Sequence, residues 1–129
     1  MADEKAVKRS KKKVKSTVPV GVVHIRATFN NTLISITDLH GNVLTSGSAG
    51  EKFKGSRKST PFAAQTAAEK ACLAARDYGL KQVEIEVCGP GPGGEAAARE
   101  IGRSFKVTSI SNVTGIPHNG CQQQKERRV

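Results

Sequence analysis

A run of alanines between Thr60 and Gly79 constrains the fold of this chain more than any other feature of its sequence. Small residues recur there at i, i+3, i+4 spacing, which predicts a helix with one apolar face, formed by Ala64, Ala67, Ala68, Ala71, Cys72 and Ala75. Thr60 is a good N-cap and Pro61 suits the first helical position. Gly79 suits the left-handed residue that follows a helix running to about Tyr78. A face made of alanine lets the helix lie close to a sheet, so the residues before it should be firmly placed.

Residues on both sides of this helix alternate between apolar and polar with the period of two that is typical of strands. Before the helix we expect three strands, in the ranges 20–29, 32–38 and 43–49. After it we expect strands at 82–88 and 106–113, with a short helix at 95–103 between them. This order predicts an α/β fold with a mixed sheet and with helices on its faces. Asn30-Asn31 should form a tight turn, because asparagine tolerates positive φ.

The net charge of +10 is concentrated in three segments of the chain. Residues 1–15 hold seven Lys/Arg against two acids, residues 52–58 hold four and no acid, and residues 122–129 hold three against one. Such concentration favours a polyanionic partner, with nucleic acid first and an anionic membrane surface second. The membrane is disfavoured because no apolar run approaches the roughly 20 residues of a span, and because no apolar face or signal peptide accompanies the basic N-terminus. We therefore expect a cytoplasmic protein.

Residues 52–58, called the basic loop below, run directly into the predicted helix. Four cations, several hydroxyls and the positive end of a helix dipole would meet there, which favours binding of a phosphate. The alternative is a solvated surface loop with a well-capped helix behind it. Phe53 is either available to RNA or anchors this loop to the body.

The two ends of the chain are polar and charged. Residues 1–18 should be disordered when free, and they either fold on a nucleic acid or act as a solubilising arm. Residues 19–116 form the predicted core domain, and residues 117–129 form a tail. In the tail, His118 and Asn119 could either hydrogen-bond RNA or form a turn.

Two other segments are open to more than one interpretation. The Gly-Pro loop, Gly89-Pro-Gly-Pro-Gly-Gly94, lacks the Gly-Lys-Ser/Thr of a phosphate loop, so it is either a rigid, closely packed turn that lets RNA approach or a direct anion site. The third strand fades into the small residues 46–49, which indicates either a close neighbour such as RNA backbone or a thin sheet edge.

The aromatic residues favour one kind of RNA binding over another. The chain has no tryptophan, and the strand and helix patterns place Phe29, Phe62 and Phe105 in the core. Readers of single strands stack bases on exposed rings. Recognition should therefore depend on phosphates, 2′-hydroxyls and the shape of folded RNA.

An enzyme is disfavoured by the same sequence. Three strands followed by a helix and a strand resemble nucleases of the ribonuclease H type, which need clustered carboxylates to hold two metal ions. The first strand offers His24 and Arg26 instead, and Glu84 and Glu86 alternate as on a polar sheet face. The three cysteines lack metal-site or disulfide spacing, so we interpret them as structural and expect no metal or cofactor.

Four motifs closely resemble the bacterial-type small-subunit ribosomal proteins of the universal eleventh family, in the same order and over nearly the whole chain from about Gly21. They are Asn30-Asn31-Thr32, Gly55-Ser-Arg-Lys-Ser-Thr-Pro-Phe-Ala-Ala-Gln65, Gly89-Pro-Gly-Pro-Gly93 and Ile116-Pro-His-Asn-Gly-Cys121. The resemblance implies a non-enzymatic, ribonuclease-H-like three-layer domain with a mixed five-stranded sheet. It further implies that the protein holds rRNA helices together on the platform, beside the messenger exit and Shine–Dalgarno cleft. Its neighbours there would be the seventh and eighteenth small-subunit proteins, messenger RNA and initiation factor three.

The residues expected to contact rRNA follow from the charge pattern and the motifs. They are Lys11, Lys12, Lys13, Lys15, Asn30, Asn31, Lys52, Lys54, Gly55, Ser56, Arg57, Lys58, Ser59, Thr60, Gly91, Gly93, His118, Asn119, Gly120, Lys125, Arg127 and Arg128.

Two departures from the family pattern matter. Gly94 replaces the usual arginine, and a Gln122-Gln123-Gln124 stretch replaces the usual Arg-Pro-Pro after the cysteine. The first implies that one phosphate contact of the family is absent, and the second predicts a weaker or differently routed contact of the tail. The alternatives to a ribosomal protein are a free nucleic-acid-binding module and, more remotely, a metal-dependent nuclease.

Overall fold

The computed structural model describes residues 17–129 of the chain as an α/β domain with a mixed five-stranded sheet and two helices, as predicted. In chain order the elements are β1 (Val20–Ala27), β2 (Thr32–Thr37), β3 (Val43–Ser48), α1 (Pro61–Arg76), β4 (Gln82–Cys88), α2 (Gly93–Ser104) and β5 (Lys106–Asn112). Two short 3-10 helices, Ala49–Glu51 and Gly55–Ser59, lie between β3 and α1. The predicted bounds are wrong by small amounts, since α1 ends at Arg76 and α2 begins at Gly93.

The strands lie in the order β3-β2-β1-β4-β5. β2 is antiparallel to both of its neighbours, whereas β1, β4 and β5 are parallel to one another. β1 is therefore the central strand, and its alternate residues Val23, Ile25 and Ala27 are fully buried. The alternation seen in the sequence thus corresponds to one buried and one open face of the sheet.

Both helices pack on the same face of the sheet, so residues 17–129 form two layers. Side chains from β1, β2, β4, α1 and α2 share one hydrophobic core, and the two helices contact each other. The expectation of helices on both faces, and of three layers, is wrong for this part of the chain. The connection from β3 to β4 and the connection from β4 to β5 cross the sheet in the same direction, and two right-handed crossovers in one direction place their helices on one side.

The alanine face of α1 packs against the sheet as predicted. Each of its six predicted residues is buried, and the Cys72 thiol among them has its pKa raised to about 11 because burial disfavours the charged form. A Cβ added at Gly47 in β3 would lie only 3.0 Å from the Ala67 carbonyl oxygen and 3.5 Å from the Ala71 Cβ. The small residue at position 47 is thus explained by the close approach of α1 at an edge of the sheet.

The other face of the sheet is polar and open in the described part of the chain. His24 and Arg26 on β1 are exposed. The His24 Nδ1 atom lies 3.2 Å from the Glu86 Oε2 atom, and its Nε2 atom lies 3.2 Å from the Thr37 hydroxyl. Glu86 therefore contacts a histidine on this face.

The chain enters the domain at the end of the sheet where β1 begins. The Val18 amide donates to the Tyr78 carbonyl at 2.9 Å, and Gly79 next to it has the predicted positive φ, 72°. Neither helix within residues 17–129 is long and apolar enough to cross a membrane.

Candidate nucleic-acid interface

Four loops come together at the end of the sheet opposite to the chain's entry. β1, β3, β4 and β5 all point the same way, so the segments that follow them emerge at one end. These segments are the 28–31 turn, the 49–60 segment with the basic loop, the 89–92 Gly-Pro loop and the tail from residue 113. The parallel topology therefore brings the first three motifs of the sequence and the start of the tail to one end of the sheet, called the basic end below.

The Asn30-Asn31 turn is held by hydrogen bonds rather than by positive φ. The Thr28 amide donates to the Asn31 carbonyl at 2.8 Å, and the Asn31 amide donates to the Thr28 hydroxyl at 3.0 Å. Among residues 17–129 only Asn119 is a non-glycine residue with positive φ, so the conformation predicted for this turn is wrong. Hydrogen bonds to Thr28, including one to its hydroxyl, hold the turn that we expected a left-handed asparagine to form.

Asn31 also connects this turn to the segment that carries the basic loop. Its side-chain amide donates to the Ser48 hydroxyl at 3.4 Å, and that hydroxyl accepts from the Gly50 amide at 3.2 Å. A Cβ built on Gly50 would lie 3.7 Å from the Lys58 Cδ and 3.8 Å from the Asn31 Nδ2. The fold thus places Asn31 and Lys58, which are distant in sequence, on either side of one glycine.

The four cations of the basic loop have no acidic partner in residues 17–129. Lys52, Lys54 and Arg57 are exposed, Lys58 is half-buried, and none forms an ion pair with a described carboxylate. The neighbouring acid, Glu51, instead contacts Lys70 on α1. The positive charge of the loop is therefore available to an external anion.

The backbone of the basic loop is ordered by its own hydrogen bonds. Gly55 has a φ of 68°, which favours glycine, and it begins the second 3-10 helix. The Ser59 hydroxyl donates to the Ser56 carbonyl and the Thr60 hydroxyl donates to the Arg57 carbonyl, both at 2.7 Å. The Ser59 and Thr60 hydroxyls thus donate to backbone oxygens in this structure, while contact of these two residues with RNA stays a prediction.

Thr60 caps α1 as the sequence predicts. Its hydroxyl accepts from the Ala63 amide at 3.3 Å, and Pro61 follows at the first helical position. One hydroxyl thus joins the last turn of the basic loop to the first turn of α1. The loop is consequently held at both ends by the packed body of the domain.

The Gly-Pro loop is the closely packed turn that the sequence predicts. The Gly91 amide donates to the Ala27 carbonyl at 2.9 Å, and a Cβ at Gly91 would lie 2.2 Å from the Thr28 carbonyl oxygen. A Cβ at Gly93 would lie 2.1 Å from the Thr32 hydroxyl. Protein contacts therefore account for both glycines, while their approach to RNA stays a prediction.

Two of the three phenylalanines predicted for the core are in fact exposed at the basic end. The exposed fraction is 72% for Phe29 and 64% for Phe62, against 7% for Phe105. Phe29 lies beyond the end of β1, where strand alternation no longer applies. Phe62 lies outside the helical spacing that defines the alanine face, a signal that the sequence already contained. The Phe53 ring packs edge to face on the Phe62 ring, with centroids 5.7 Å apart.

The tail begins beside the Gly-Pro loop, and its residues from 115 onward are exposed. The Gly89 amide donates to the Thr114 hydroxyl at 3.1 Å. Asn119 has a φ of 62°, so the turn interpretation of this segment is supported. His118, Gly120, Lys125, Arg127 and Arg128 are exposed. Lys11, Lys12, Lys13 and Lys15 lie outside the described residues.

A nearly neutral α/β body with a cluster of unpaired cations at one end defines a class of protein, the nucleic-acid-binding domains. Within residues 17–129 there is no group of three or more His, Cys, Asp or Glu that could hold a metal ion. The family model described as "Ribosomal protein S11" matches residues 21–128. The chain belongs to the ribosomal protein S11 family.

Several curated relatives share this assignment. The chain is 63% identical over 121 residues to the small ribosomal subunit protein uS11 of Halorhodospira halophila, which covers 92% of each chain. It is 56% identical over 131 residues to that of Saccharophagus degradans, with both chains covered completely, and 58% identical over 123 residues to that of Marinobacter nauticus, with 94% and 95% covered. The chain is thus a structural, non-enzymatic protein of the small ribosomal subunit, with rRNA and other ribosomal proteins as partners.

Proposed function

We propose that this chain binds and bridges small-subunit rRNA helices, and that the basic loop makes its main phosphate contact. The observation that carries the proposal is the set of four cations without a described acidic partner, on a loop ordered by internal hydrogen bonds. An ordered cationic loop loses less conformational entropy on binding than a flexible one. Lys52, Lys54, Arg57 and Lys58 are therefore the residues we assign to phosphates.

The bridging part of the proposal is supported by the positions of the charged segments. The described chain begins at the end of the sheet where β1 starts, and the basic loop lies at the other end. Eight residues of strand span roughly 25 Å. Residues 1–16, with most of the remaining positive charge, are thus joined to the domain far from the basic loop, so the two regions can contact different RNA helices.

The location in the subunit is proposed from the family assignment. We place the chain on the platform in a cytoplasmic ribosome, beside the messenger exit and Shine–Dalgarno cleft. Its neighbours would be the seventh and eighteenth small-subunit proteins, messenger RNA and initiation factor three. A ribonuclease-H-like relationship is likewise proposed, and it is supported by the antiparallel β2 in an otherwise parallel sheet.

We also propose weaker phosphate contacts at the two places where the chain departs from the family pattern, Gly94 and the tail. A Cβ on the buried Gly94 would lie 3.2 Å from the Val87 Cγ1 and 3.3 Å from the Ala27 Cβ, so this position is packed with protein here. In the tail, Lys125, Arg127 and Arg128 supply the cations. Removing residues 122–129 should lower the salt dependence of rRNA binding, and an unchanged slope would exclude a phosphate contact of the tail.

The Arg57→Ala/Lys58→Ala double variant tests the basic loop. We expect weaker binding to a small-subunit rRNA transcript and a slope of log K against log salt that falls by about 1 for each phosphate-binding side chain removed. Assembly into small subunits should decline, whereas the thermal unfolding temperature should not change. Filter binding at several salt concentrations, sedimentation and calorimetry measure these quantities.

The matched control is Arg99→Ala/Arg103→Ala on α2, which removes two exposed arginines that already contact Glu95 and Glu100. This control should leave the salt slope unchanged. Normal assembly and a normal slope in the loop variant would refute the assignment of the basic loop. A wild-type protein that separates from small subunits in high salt would instead favour a nucleic-acid-binding module outside the ribosome.

A further inference from the structure

The basic end exposes two phenylalanine rings that lie outside the hydrophobic core. Phe29 and Phe62 are 72% and 64% exposed, whereas Phe105 on the far side of the core is 7% exposed. Burial of apolar surface is the favourable state of such a ring in water. The two exposed rings at the end of the domain that carries the unpaired cations are therefore accessible to a ligand.

Both rings lie beside the residues that we assign to phosphates. Phe29 sits in the 28–31 turn, which contacts the Gly-Pro loop through Gly91 and the basic-loop segment through the Asn31 side chain. Phe62 is the second residue of α1 and follows Lys58 by four positions. Phe62 therefore lies close in sequence to the cations, and Phe29 lies in a turn that contacts their segment.

A second aromatic ring of the domain packs against Phe62. The half-buried Phe53, which lies in the basic loop, meets it edge to face at 5.7 Å between centroids and 73° between planes. Such a pair holds a ring in a defined orientation. The Phe62 ring remains 64% exposed despite this contact, so it is both held in place and open to a ligand.

We propose that Phe29 and Phe62 are stacking surfaces for unpaired bases of the RNA whose phosphates contact the basic loop. The inference rests on the proposed function and adds a mode of recognition that the aromatic content of the sequence disfavoured. The adjoining uncompensated positive charge selects a polyanion as the occupant, and bases are the apolar faces that a nucleic acid offers to a ring. The site therefore takes a folded RNA with bases available at a loop, bulge or junction.

The test replaces each ring by a side chain that is apolar but cannot stack. The variants Phe29→Leu and Phe62→Leu are titrated with a small-subunit rRNA transcript over a range of salt concentrations. We expect each to lower the affinity by about 5- to 160-fold, which corresponds to the roughly 1–3 kcal/mol lost with one stacked base. The slope of log K against log salt should stay at the wild-type value, because the cations that bind phosphate are unchanged. Phe62→Trp should bind at least as tightly as the wild type.

The control variant is Leu73→Ala, which truncates another exposed apolar residue of α1, 55% exposed and about three turns from Phe62. It should bind the transcript normally. Chemical probing of base edges should show nucleotides that the wild type protects and that become reactive with the leucine variants. Circular dichroism and thermal unfolding should show that all the variants are folded.

Failure of the stacking inference can be distinguished from failure of the proposed function. Wild-type affinity in both leucine variants would overturn stacking, while the Arg57→Ala/Lys58→Ala variant would still decide the role of the loop. Weak binding by Phe62→Trp as well as Phe62→Leu would assign that ring to packing and overturn stacking there. Leucine variants that bind the transcript normally but fail to join small subunits in the presence of the other ribosomal proteins would assign the rings to a protein contact. A wild type that does not bind the transcript would refute both proposals.

Discussion

The alanine face of α1 and the basic loop that precedes it are adjacent in sequence, yet their side chains have opposite surroundings. The alanine side chains are buried against the sheet and carry no charge. The cations of the basic loop have no acidic partner in residues 17–129. The comparison indicates that the residues that stabilise the domain differ from those that we propose for RNA binding, and that the packed region positions the charged loop.

Small side chains make this division possible. Because Gly47 has no side chain, the Ala67 and Ala71 turn of α1 can lie against β3. The close packing fixes the axis of α1 and with it Thr60, whose hydroxyl joins the helix to the last turn of the basic loop. Four cations are thereby carried on one short segment that is attached to the packed helix.

The largest expected effect is that of Ala71→Leu in the packed region. The extra carbon atoms would enter the contact between α1 and β3, so we expect a loss of about 2–3 kcal/mol in the free energy of unfolding. Urea denaturation measures the change. Ala74→Leu, on the exposed side of the same helix, should change stability by less than about 0.5 kcal/mol. Equal losses in the two variants would show that α1 is not packed through its alanine face.

A smaller effect is expected at the junction between the two regions. Thr60→Ala removes the cap on the Ala63 amide and should cost about 1 kcal/mol of stability. Thr60→Ser keeps a hydroxyl and should retain most of it. If urea denaturation gave the same loss for serine and alanine, the hydroxyl would not be the group that joins the loop to α1.

The smallest effect is expected at the end of the sheet away from the basic loop. The Asn42 amide donates to the Asp38 carboxylate at 2.9 Å and, with the His40 amide at 2.9 Å, holds the pKa of that carboxyl below its usual value. A lowered folded-state pKa stabilises the fold above the unfolded-state pKa of about 3.8, and this stabilisation is lost as the pH falls through the lower folded-state value.

Asp38→Asn should therefore remove a small part of the acid dependence of stability below about pH 4, as urea midpoints at pH 7 and pH 3 would show. Binding to rRNA should be unaffected, because the residue lies outside the basic end. A change in the rRNA affinity of this variant would contradict the assignment of RNA binding to the basic end.

The elements that depend on local patterns could be predicted from the sequence. The cap at Thr60, the left-handed Gly79, the buried alanine face and the alternating strands all follow from residue type and spacing within a few positions. The residues assigned to RNA contact remain a prediction at every position. The prediction that Phe62 lies in the core was wrong, although its helical spacing already placed it outside the alanine face.

Properties that depend on distant segments could not be predicted in this way. Both helices lie on one face because two crossovers run in the same direction, and that direction depends on the strand order. Asn31 meets Ser48 and lies near Lys58 only because β1, β2 and β3 are neighbours in the sheet. The hydroxyls of Ser59 and Thr60 are occupied by carbonyl groups that a 3-10 helix brings within reach.

The amino-acid sequence by itself determined the α/β class, the cationic segments and the family, because periodicity, charge and motifs are properties of neighbouring residues. The tertiary structure decided which of those segments meet, which glycines are required by protein contacts and which aromatic rings remain exposed. The physical reason is that burial and charge neutralisation depend on strand order and helix placement, which join residues far apart along the chain.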